Sequence, residues 1–327
     1  MLPTLAELMS TAQVVSLPLV TRFRGIETRE ALVFEGPYGW SEFSPFVEYD
    51  DAEAAAWLIA AIDFGWNAPP APVRDSIRVN ATVPAVGPEL VARVLARFPG
   101  CRTAKVKVAN AGQTLAEDIA RVREVRAVLG PEGFIRVDAN GAWTVDEAER
   151  AIHALAEFDL EYVEQPCASV EELVEIRRRT AYLDIPIAAD ESVRRAEDPL
   201  AVARAGAADL LVIKAQPLGG IRSALSIITQ TGLPVVVSSA LDTSIGISMG
   251  AHLAAAVPEL SYDCGLGTAS LLAADVTTRP LIPIDGAIPV RRVVADAGLL
   301  AAHASSPAKR GWWLERLART YAIVETG

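Results

Sequence analysis

The sequence is poor in basic residues. Its 327 residues contain 30 lysines and arginines against 41 aspartates and glutamates, which gives a formal net charge of −11. The phosphates of a nucleic acid would be repelled by such a chain, and no basic stripe offsets the imbalance. The composition therefore predicts that the protein does not bind nucleic acid.

Long apolar runs are also missing. No stretch approaches the roughly 20 apolar residues that a membrane-spanning helix needs. The N-terminal segment contains Glu7, and no lysine or arginine precedes Arg22, so it lacks the basic start of a secretory signal. We therefore expect a cytoplasmic protein without a membrane partner.

Cysteine and histidine are scarce, with three residues of each type. The cysteines are Cys101, Cys167 and Cys264, and the histidines are His153, His252 and His303. An odd number of cysteines without a paired metal spacing is typical of a reducing compartment and argues against a structural disulfide. Because the histidines all lie away from the ends of the predicted strands, the sequence also disfavours a zinc site.

Short hydrophobic runs that carry a charged residue recur along the middle of the chain. The charged residues of successive runs lie 24 to 31 positions apart, and helical patterns fill the intervals. Strands and helices that alternate in this way are typical of a parallel sheet. The runs are TAKVKV with Lys105 and Lys107, FIRVDAN with Asp138, LEYVEQP with Glu164, IPIAADES with Asp190 and LLVIKAQ with Lys214.

Three further runs extend the same period to eight strands. They are IRVNAT at 77–82, PVVVSSA at 234–240 and LSYDCG at 260–265. Eight parallel strands close into a TIM-type (β/α) barrel, whose active site forms at the carboxyl ends of the strands. The charged residues fall at these ends, so we predict an active site there.

The N-terminal part of the chain has a different pattern. TREALVFEGPYGWSEFSPF predicts two antiparallel strands with a Gly-Pro turn, and DDAEAAAWLIAAIDFGW predicts an apolar helix. The proline-rich residues 67–75 predict an extended linker. We therefore predict a small α+β domain at 1–75, the barrel at 76–285, and a segment at 286–327 that returns to the small domain.

Three carboxylates would end neighbouring strands of the barrel: Asp138, Glu164 and Asp190. Each acid alone could be a helix cap or a surface carboxylate. Three acids at one edge repel one another unless a cation lies between them. An all-oxygen set selects a hard cation, so the sequence predicts a Mg²⁺ site at which Mn²⁺ could substitute.

Lysines flank these acids on both sides. Lys105 and Lys107 are two positions apart on one strand and point to the same side, whereas Lys214 approaches from the opposite side of the ring. Each lysine alone could form an ion pair with a nearby acid. Together with a bound metal they favour removal of a proton next to a substrate carboxylate, because the metal and Lys105 both lower the proton affinity of Lys107.

The strings KVK, RVDAN, EYVEQP, ADES and IKAQPLGG, in this order, resemble the enolase superfamily and its muconate-lactonizing branch. The resemblance implies a Mg²⁺-dependent enzyme in which Lys107 abstracts the proton and Lys214 stays charged beside the enediolate. It implies that Lys105 either adjusts the pKa of Lys107 or contacts the carboxylate of the substrate. It also implies that the small domain is a capping domain whose loops close over the substrate.

Within this branch, FRGIETRE, WSEFSPFVEYD and SSALDTSIG resemble the shorter actinobacterial dehydratases. That resemblance implies loss of water from 2-succinyl-6-hydroxy-2,4-cyclohexadiene-1-carboxylate, a step of menaquinone synthesis. The residues assigned to substrate contacts are Ser238, Ser239, Asn140 and Arg136. Glu191 is expected to hold such residues in place without contacting the substrate.

Two alternatives remain open at this point. One is an N-succinylamino acid racemase or a related epimerase or cycloisomerase of the superfamily. A racemase would need the same two lysines, although the chain lacks a GGM-type stretch at strand seven. A barrel that only binds a ligand would be expected to have lost a lysine or a metal ligand, and none is missing. The predicted partner is a small-molecule carboxylate, and no oligomeric state is predicted.

Overall fold

The computed structural model describes residues 2–194 and 198–326. Within these residues the strands form a three-stranded, a seven-stranded and a two-stranded sheet. No helix in the same part of the chain has the length and apolar character needed to span a membrane.

The N-terminal region folds around the three-stranded antiparallel sheet, which follows helix α1 (Leu5–Thr11) in the chain and precedes α2 (Asp51–Trp66). Buried residues of both helices share one apolar cluster with the sheet. Its strands are β1 (Gln13–Phe23), β2 (Ile26–Gly36) and β3 (Gly39–Phe43). The prediction of β2, the Gly-Pro turn, β3 and α2 is confirmed, but β1 was missed. Its regular pairing with β2 stops at Pro18, because proline cannot donate to the ladder.

The seven-stranded sheet curls into a barrel with parallel strands in the order β11-β10-β9-β8-β7-β6-β5. The barrel region begins with β4 (Ser76–Arg78), which lies outside this sheet. It continues with β5 (Ala81–Val83), α3 (Pro88–Leu95), β6 (Thr103–Lys107), α4 (Leu115–Leu129), β7 (Phe134–Asp138), α5 (Val145–Leu155) and β8 (Leu160–Glu164). The remaining elements are α6 (Val170–Thr180), β9 (Ile187–Ala189), α7 (Glu191–Arg194), α8 (Ala201–Arg204), β10 (Leu210–Ile213), α9 (Ile221–Thr231), β11 (Val235–Val237) and α10 (Ser244–Ala256). The predicted α/β barrel is therefore confirmed.

The predicted eighth strand was wrong as a strand. Residues 260–265 contribute two isolated parallel bridges, from Cys264 to Val79 and from Gly265 to Ser238. Among residues 260–265 only Cys264 and Gly265 form bridges, and the side chain of Asp263 contacts Arg78 and Thr103. These bridges still connect the two edges of the sheet.

The predicted first strand, residues 77–82, is divided between two sheets. Its first part, β4, pairs antiparallel with β12 (Ala287–Pro289), and its second part, β5, pairs with β6. After α11 (Ala297–Ala302), helix α12 (Pro307–Thr326) lies against α2, with Trp313 fully buried. Thus β12 joins the barrel and α12 joins the N-terminal region, while the exact domain limits remain a prediction.

Alternation along the strands separates the barrel interior from the layer beneath the helices. In β7, Ile135 and Val137 belong to the core under the helices, whereas Arg136 and Asp138 face the interior. A small apolar cluster fills the interior below the charged residues, formed by Tyr162, Ala188, Leu210, Val212 and Val236. The parallel strands thus deliver their terminal polar side chains to one end of the ring.

Candidate active site

The carboxyl ends of β6, β7 and β8 bring a lysine and two acids into one register. Lys107 is the Cα partner of Asp138, and Asp138 is the partner of Glu164. Asp190 and Lys214 immediately follow β9 and β10. All five lie at one end of the barrel, and the three acids are at most 1% exposed.

The two lysines of β6 share one acceptor. Lys105 Nζ lies 2.8 Å from Asp138 Oδ2 and 2.5 Å from Glu164 Oε1. Lys107 Nζ lies 2.5 Å from the same Asp138 oxygen. The positive charges therefore offset the cost of burying two neighbouring carboxylates.

Asp190 has a separate pair of cations. Its Oδ2 accepts from Lys214 Nζ at 2.5 Å, and its Oδ1 accepts from Arg194 Nε at 3.1 Å. Four positions separate β6 from β10 in the strand order, so Lys107 and Lys214 approach from opposite sides of the ring. Each lysine is paired with a different acid.

Asn140 and Glu191 lie beside these ion pairs. Asn140 Oδ1 accepts from Lys107 Nζ at 2.8 Å, and its Nδ2 donates to Glu191 Oε1 at 3.2 Å. Arg194 Nη2 donates to the same Glu191 oxygen at 2.7 Å. This chain of contacts connects the Lys107 side of the site with the Asp190 side.

Two residues in this network were missed from the sequence. Arg194 contacts Asp190, Glu191 and, at 3.2 Å, the hydroxyl of Tyr49. Gln165 accepts from the backbone N–H groups of Asp190 and Ser192 at 3.0 and 3.2 Å and so fixes the turn after β9. In the sequence, the spacing of four residues between Asp190 and Arg194 was the one signal for the contact between these two side chains.

A small cavity of about 40 Å³ lies beside the lysines. Ser238 and Ser239 line it, and the Ser239 hydroxyl lies 2.8 Å from Gly265 O and 2.7 Å from the Thr268 hydroxyl. Phe23 and Phe46 from the N-terminal region form part of the same lining. The barrel and the N-terminal region therefore line the cavity together.

Arg136 lies outside this cavity. Two positions before Asp138 on β7, it faces the same interior but one layer deeper. Its guanidinium donates to Glu161 at 2.5 Å and to Asp263 O at 2.6 Å, and it lies 4.9 Å from the ring centre of Tyr162. The expectation that Arg136 contacts substrate is corrected accordingly, because its donors point to the barrel interior.

Burial and neighbouring charges shift the pKa values of the two lysines of β6 in opposite directions. Burial opposes the charge of Lys105, but the charges of Asp138 and Glu164 outweigh it and raise the pKa of Lys105 well above its usual range. Burial lowers the pKa of Lys107, and the charge of Lys105 lowers it further. Lys107 is thus the more easily neutralised amine.

The surroundings of the three acids also shift their pKa values in different directions. Burial raises the pKa of Glu164, and the charge of Asp138 adds to the effect. Although burial acts in the same direction on Asp138, Lys105 and Lys107 hold its pKa well below the usual range. Lys214 and Arg194 do the same for Asp190 against the effect of its burial.

Within residues 2–194 and 198–326, no three acidic, histidine or cysteine side chains are arranged to hold a metal ion. The acids point to lysine and arginine groups, which supply the positive charge in this arrangement. The donor set nevertheless suits a hard cation, because all three side chains offer oxygen atoms and Glu164 Oε2 is buried with no hydrogen-bond partner among the described residues. Asp138, Glu164 and Asp190 thus remain the predicted ligands.

Comparisons with known proteins agree with this geometry. Residues 89–299 match the family model described as "Enolase C-terminal domain-like", and residues 14–65 match the one described as "Enolase N-terminal domain-like". An o-succinylbenzoate synthase from Thermobifida fusca is 56% identical over 96% of this chain and 97% of its own length. The chain belongs to the enolase superfamily, in the family of this synthase.

Other members of the synthase family extend the same similarity. The o-succinylbenzoate synthase of Mycobacterium leprae is 54% identical over 99% of this chain and 95% of its own, and that of Mycobacterium ulcerans is 53% identical over 98% and 96%. A muconate lactonizing enzyme from Pseudomonas fluorescens, solved with muconolactone, superposes with a TM-score of 0.77. It is 21% identical over 90% of this chain and 98% of its own, which shows a shared fold.

Proposed function

We propose that the protein is an o-succinylbenzoate synthase of menaquinone synthesis, which removes water from 2-succinyl-6-hydroxy-2,4-cyclohexadiene-1-carboxylate. The observation that carries the proposal is the placement of Lys107 and Lys214 on opposite sides of one ring, with three buried acids between them. The similarity to synthases over almost the whole chain supports the same reaction. A cytoplasmic location fits a small-molecule substrate and remains part of the proposal.

Asp138, Glu164 and Asp190 would hold Mg²⁺, and Mn²⁺ could replace it. When bound, the ion would supply positive charge that stabilises a substrate carboxylate after the adjacent carbon has lost its proton. Magnesium is the general choice in the enolase superfamily, to which this chain belongs. The buried, unpartnered Glu164 Oε2 is an available donor for it.

Lys107 is the proposed base. In its neutral form it takes the proton from the ring carbon that bears the carboxylate, and the electrons of that bond pass onto the carboxylate as an enediolate, from which they return to form the new double bond of the ring. The carbon–oxygen bond to the hydroxyl then breaks, and the hydroxyl receives a proton from the ammonium of Lys107. The products are water and the aromatic 2-succinylbenzoate, so atoms and charge balance.

Lys214 has a different proposed role. Its ammonium lies on the far side of the ring from Lys107 and remains protonated throughout, beside the negative charge that develops on the substrate carboxylate. Lys105, held by Asp138 and Glu164, keeps its charge and lowers the pKa of Lys107. Asn140 orients Lys107 through the 2.8 Å hydrogen bond, and Glu191 orients Asn140.

The succinyl arm is assigned to the wall that contains Ser238 and Ser239. Both residues line the cavity, and the hydroxyl network from Ser239 to Thr268 offers polar contacts on that wall. Two hydroxyl-bearing side chains suit the carbonyl and carboxylate oxygens of the arm. The apolar rings of Phe23 and Phe46 can cover the ring of the substrate from the other side.

The same two lysines also suit a racemase of N-succinylamino acids. Such a reaction removes a proton on one face and returns one on the other, so both Lys107 and Lys214 would have to exchange protons. The substrates of the two reactions share a succinyl group and a carboxylate, so the same contacts of the cavity suit both. This activity is the second candidate function.

Turnover of the cyclohexadiene by purified protein with added Mg²⁺ tests the proposal. We expect formation of 2-succinylbenzoate, detected by mass as loss of one water, and no formation after removal of the metal with excess chelator. A matched reaction with the Lys107→Ala variant controls for spontaneous aromatisation. Absence of product above that control would contradict the proposed function.

A further inference from the structure

Two buried side chains of the N-terminal region hold the wall of the active-site cavity. Arg29 lies on β2 and Glu42 on β3, and they are 2% and 0% exposed. Both make their contacts with residues 241–246, which follow β11 and begin helix α10. Residues 238–241 line the cavity, so these contacts lie directly behind its wall.

Glu42 caps a helix that belongs to the barrel. Its carboxylate accepts from the Thr243 hydroxyl at 2.6 Å, from Thr243 N at 3.2 Å and from Gly246 N at 3.0 Å. The first turn of α10 has no acidic residue of its own. A carboxylate at this end satisfies free N–H groups and interacts favourably with the helix dipole.

Gly246 makes this contact possible. A Cβ at that position would lie 2.7 Å from Asp242 Cβ and 2.9 Å from Glu42 Oε2, which leaves no room for a side chain. The helix backbone can therefore approach Glu42 closely enough for its N–H to donate. The close approach indicates that the cap is built into the interface between the two regions.

Arg29 holds Leu241, which lies three residues before the first residue of this helix. Its Nε donates to Leu241 O at 3.1 Å, and its guanidinium lies 4.4 Å from the ring centre of Phe46, which also lines the cavity. Leu241 is 1% exposed and has a φ of 63°. A branched side chain rarely adopts this left-handed conformation, so tertiary contacts must maintain it.

Ser44 links the two charged residues. Its hydroxyl donates to Glu42 Oε1 at 2.6 Å and accepts from Arg29 Nη2 at 3.1 Å. The backbone carbonyl of Ser44 also accepts from Arg29. Arg29, Ser44 and Glu42 thus form one continuous network behind the cavity wall, which we name the wall bracket.

We propose that the wall bracket, Arg29, Ser44 and Glu42, consists of positioning residues that set the cavity wall at residues 238–241 for the succinyl arm. They touch neither the lysines nor the three acids, so they act on substrate binding through the wall. The inference rests on the proposed function for the identity of the ligand. It predicts a change in binding with little change in the chemical step.

Glu42→Gln tests this role with almost no change in side-chain volume, because an amide NH₂ replaces an oxygen that accepts from α10. At pH 8, where Glu42 is mostly ionised, we expect the KM for the cyclohexadiene to rise by about tenfold, as suits loss of a buried charge-assisted hydrogen bond, with kcat within about threefold of the wild type. The Kd for 2-succinylbenzoate, measured by calorimetry, should rise in parallel. Ser44→Ala is the milder variant and should raise both constants by about threefold.

The matched control breaks another contact between the same two regions. Arg222 of α9 pairs with Asp63 of α2 at 3.0 Å and does not line the cavity. Arg222→Met should leave KM, kcat and the product Kd at wild-type values. KM and Kd values within twofold of the wild type in both Ser44→Ala and Glu42→Gln would overturn the inference, as would a loss of kcat at unchanged KM.

Hydrogen exchange separates this inference from the proposed function, because it needs no substrate. Amides of residues 238–246 should exchange faster in Glu42→Gln and in Ser44→Ala than in the wild type or in Arg222→Met. Exchange that is unchanged in both bracket variants would contradict the positioning role. Failure of the wild type to turn over the cyclohexadiene, with faster exchange in the variants, would instead reject only the choice of substrate.

Discussion

Lys105 and Lys107 contact the same atom, Asp138 Oδ2, at 2.8 and 2.5 Å. Their pKa values nevertheless shift in opposite directions. Lys105 also reaches Glu164, so two acids keep it charged, whereas Lys107 has Lys105 as a neighbour of like charge. One strand thus supplies both a lasting positive charge and an amine that can lose its proton.

Lys107→Ala should abolish the chemical step. General base catalysis and positioning are lost together, so we expect kcat to fall by about a thousandfold or more. The Kd for 2-succinylbenzoate should change far less, because the acids, Lys214 and the cavity wall remain. Single-turnover kinetics and calorimetry measure the two quantities.

Lys309→Ala is the control for that variant. Lys309 lies on α12 and pairs with Glu30 away from the cavity, so its loss should leave kcat unchanged. A Lys107→Ala enzyme with more than about a tenth of the wild-type kcat, equivalent to a barrier change of little more than 1 kcal/mol, would show that another group is the base.

Asp190→Asn should weaken binding of Mg²⁺. The amide removes one negative charge from the predicted oxygen ligands, while Lys214 and Arg194 keep their positive charges beside it. We expect an increase of at least about tenfold in the Mg²⁺ dissociation constant, measured by calorimetry in the absence of substrate. Wild-type affinity in this variant would exclude Asp190 as a ligand.

Lys214→Arg separates a charge role from a base role. A guanidinium remains protonated, so it can stabilise an enediolate but cannot take a proton. We expect the variant to keep part of the dehydration activity and to lose any racemisation of N-succinylamino acids. Racemisation is monitored by deuterium exchange in D₂O. If the variant still racemises N-succinylamino acids, Lys214 is not the second group that exchanges a proton in that reaction.

The buried Glu42 should make stability depend on pH. Burial and the nearby Asp242 raise its pKa to about 7 from the ordinary value of 4.5. Between these values the folded state binds more protons at Glu42 than the unfolded state, so a rise in pH lowers the unfolding free energy. The full effect is up to about 3 kcal/mol.

Urea unfolding of the wild type and Glu42→Gln at pH 5 and pH 8 measures this contribution. The glutamine cannot titrate, so the stability advantage of the wild type over the variant should be larger at pH 5 than at pH 8. An advantage that is constant or increases with pH would show that Glu42 is ionised throughout this range.

Much of the barrel could be predicted because its signals are local. Each of the strands β6 to β8 is an apolar run that ends on a charged residue, and capping boxes such as Thr144 with Glu147 fix where helices begin. Pro18 concealed β1, since proline argues against a strand until its edge position is known. In the eighth segment only Cys264 and Gly265 form bridges, and its sequence does not show that the pairing is so short.

The candidate site could be predicted in part for a related reason. Only four lysines occur in the chain, and Lys105, Lys107 and Lys214 all lie at the strand ends that face the acids. Alternation correctly places Arg136 on the face of β7 that points into the barrel. It does not show that Arg136, two positions before Asp138, lies one layer deeper than the substrate cavity. The contact of Arg194 with Tyr49 and the wall bracket depend on distant segments, which sequence spacing does not encode.

The most direct test compares two reactions in one preparation of the wild-type protein with Mg²⁺. Values of kcat/KM are measured for dehydration of 2-succinyl-6-hydroxy-2,4-cyclohexadiene-1-carboxylate and for racemisation of N-succinylamino acids. The account predicts that dehydration is the more efficient reaction and that Lys107→Ala abolishes it. A far higher kcat/KM for racemisation would contradict the synthase assignment and identify the protein as a racemase.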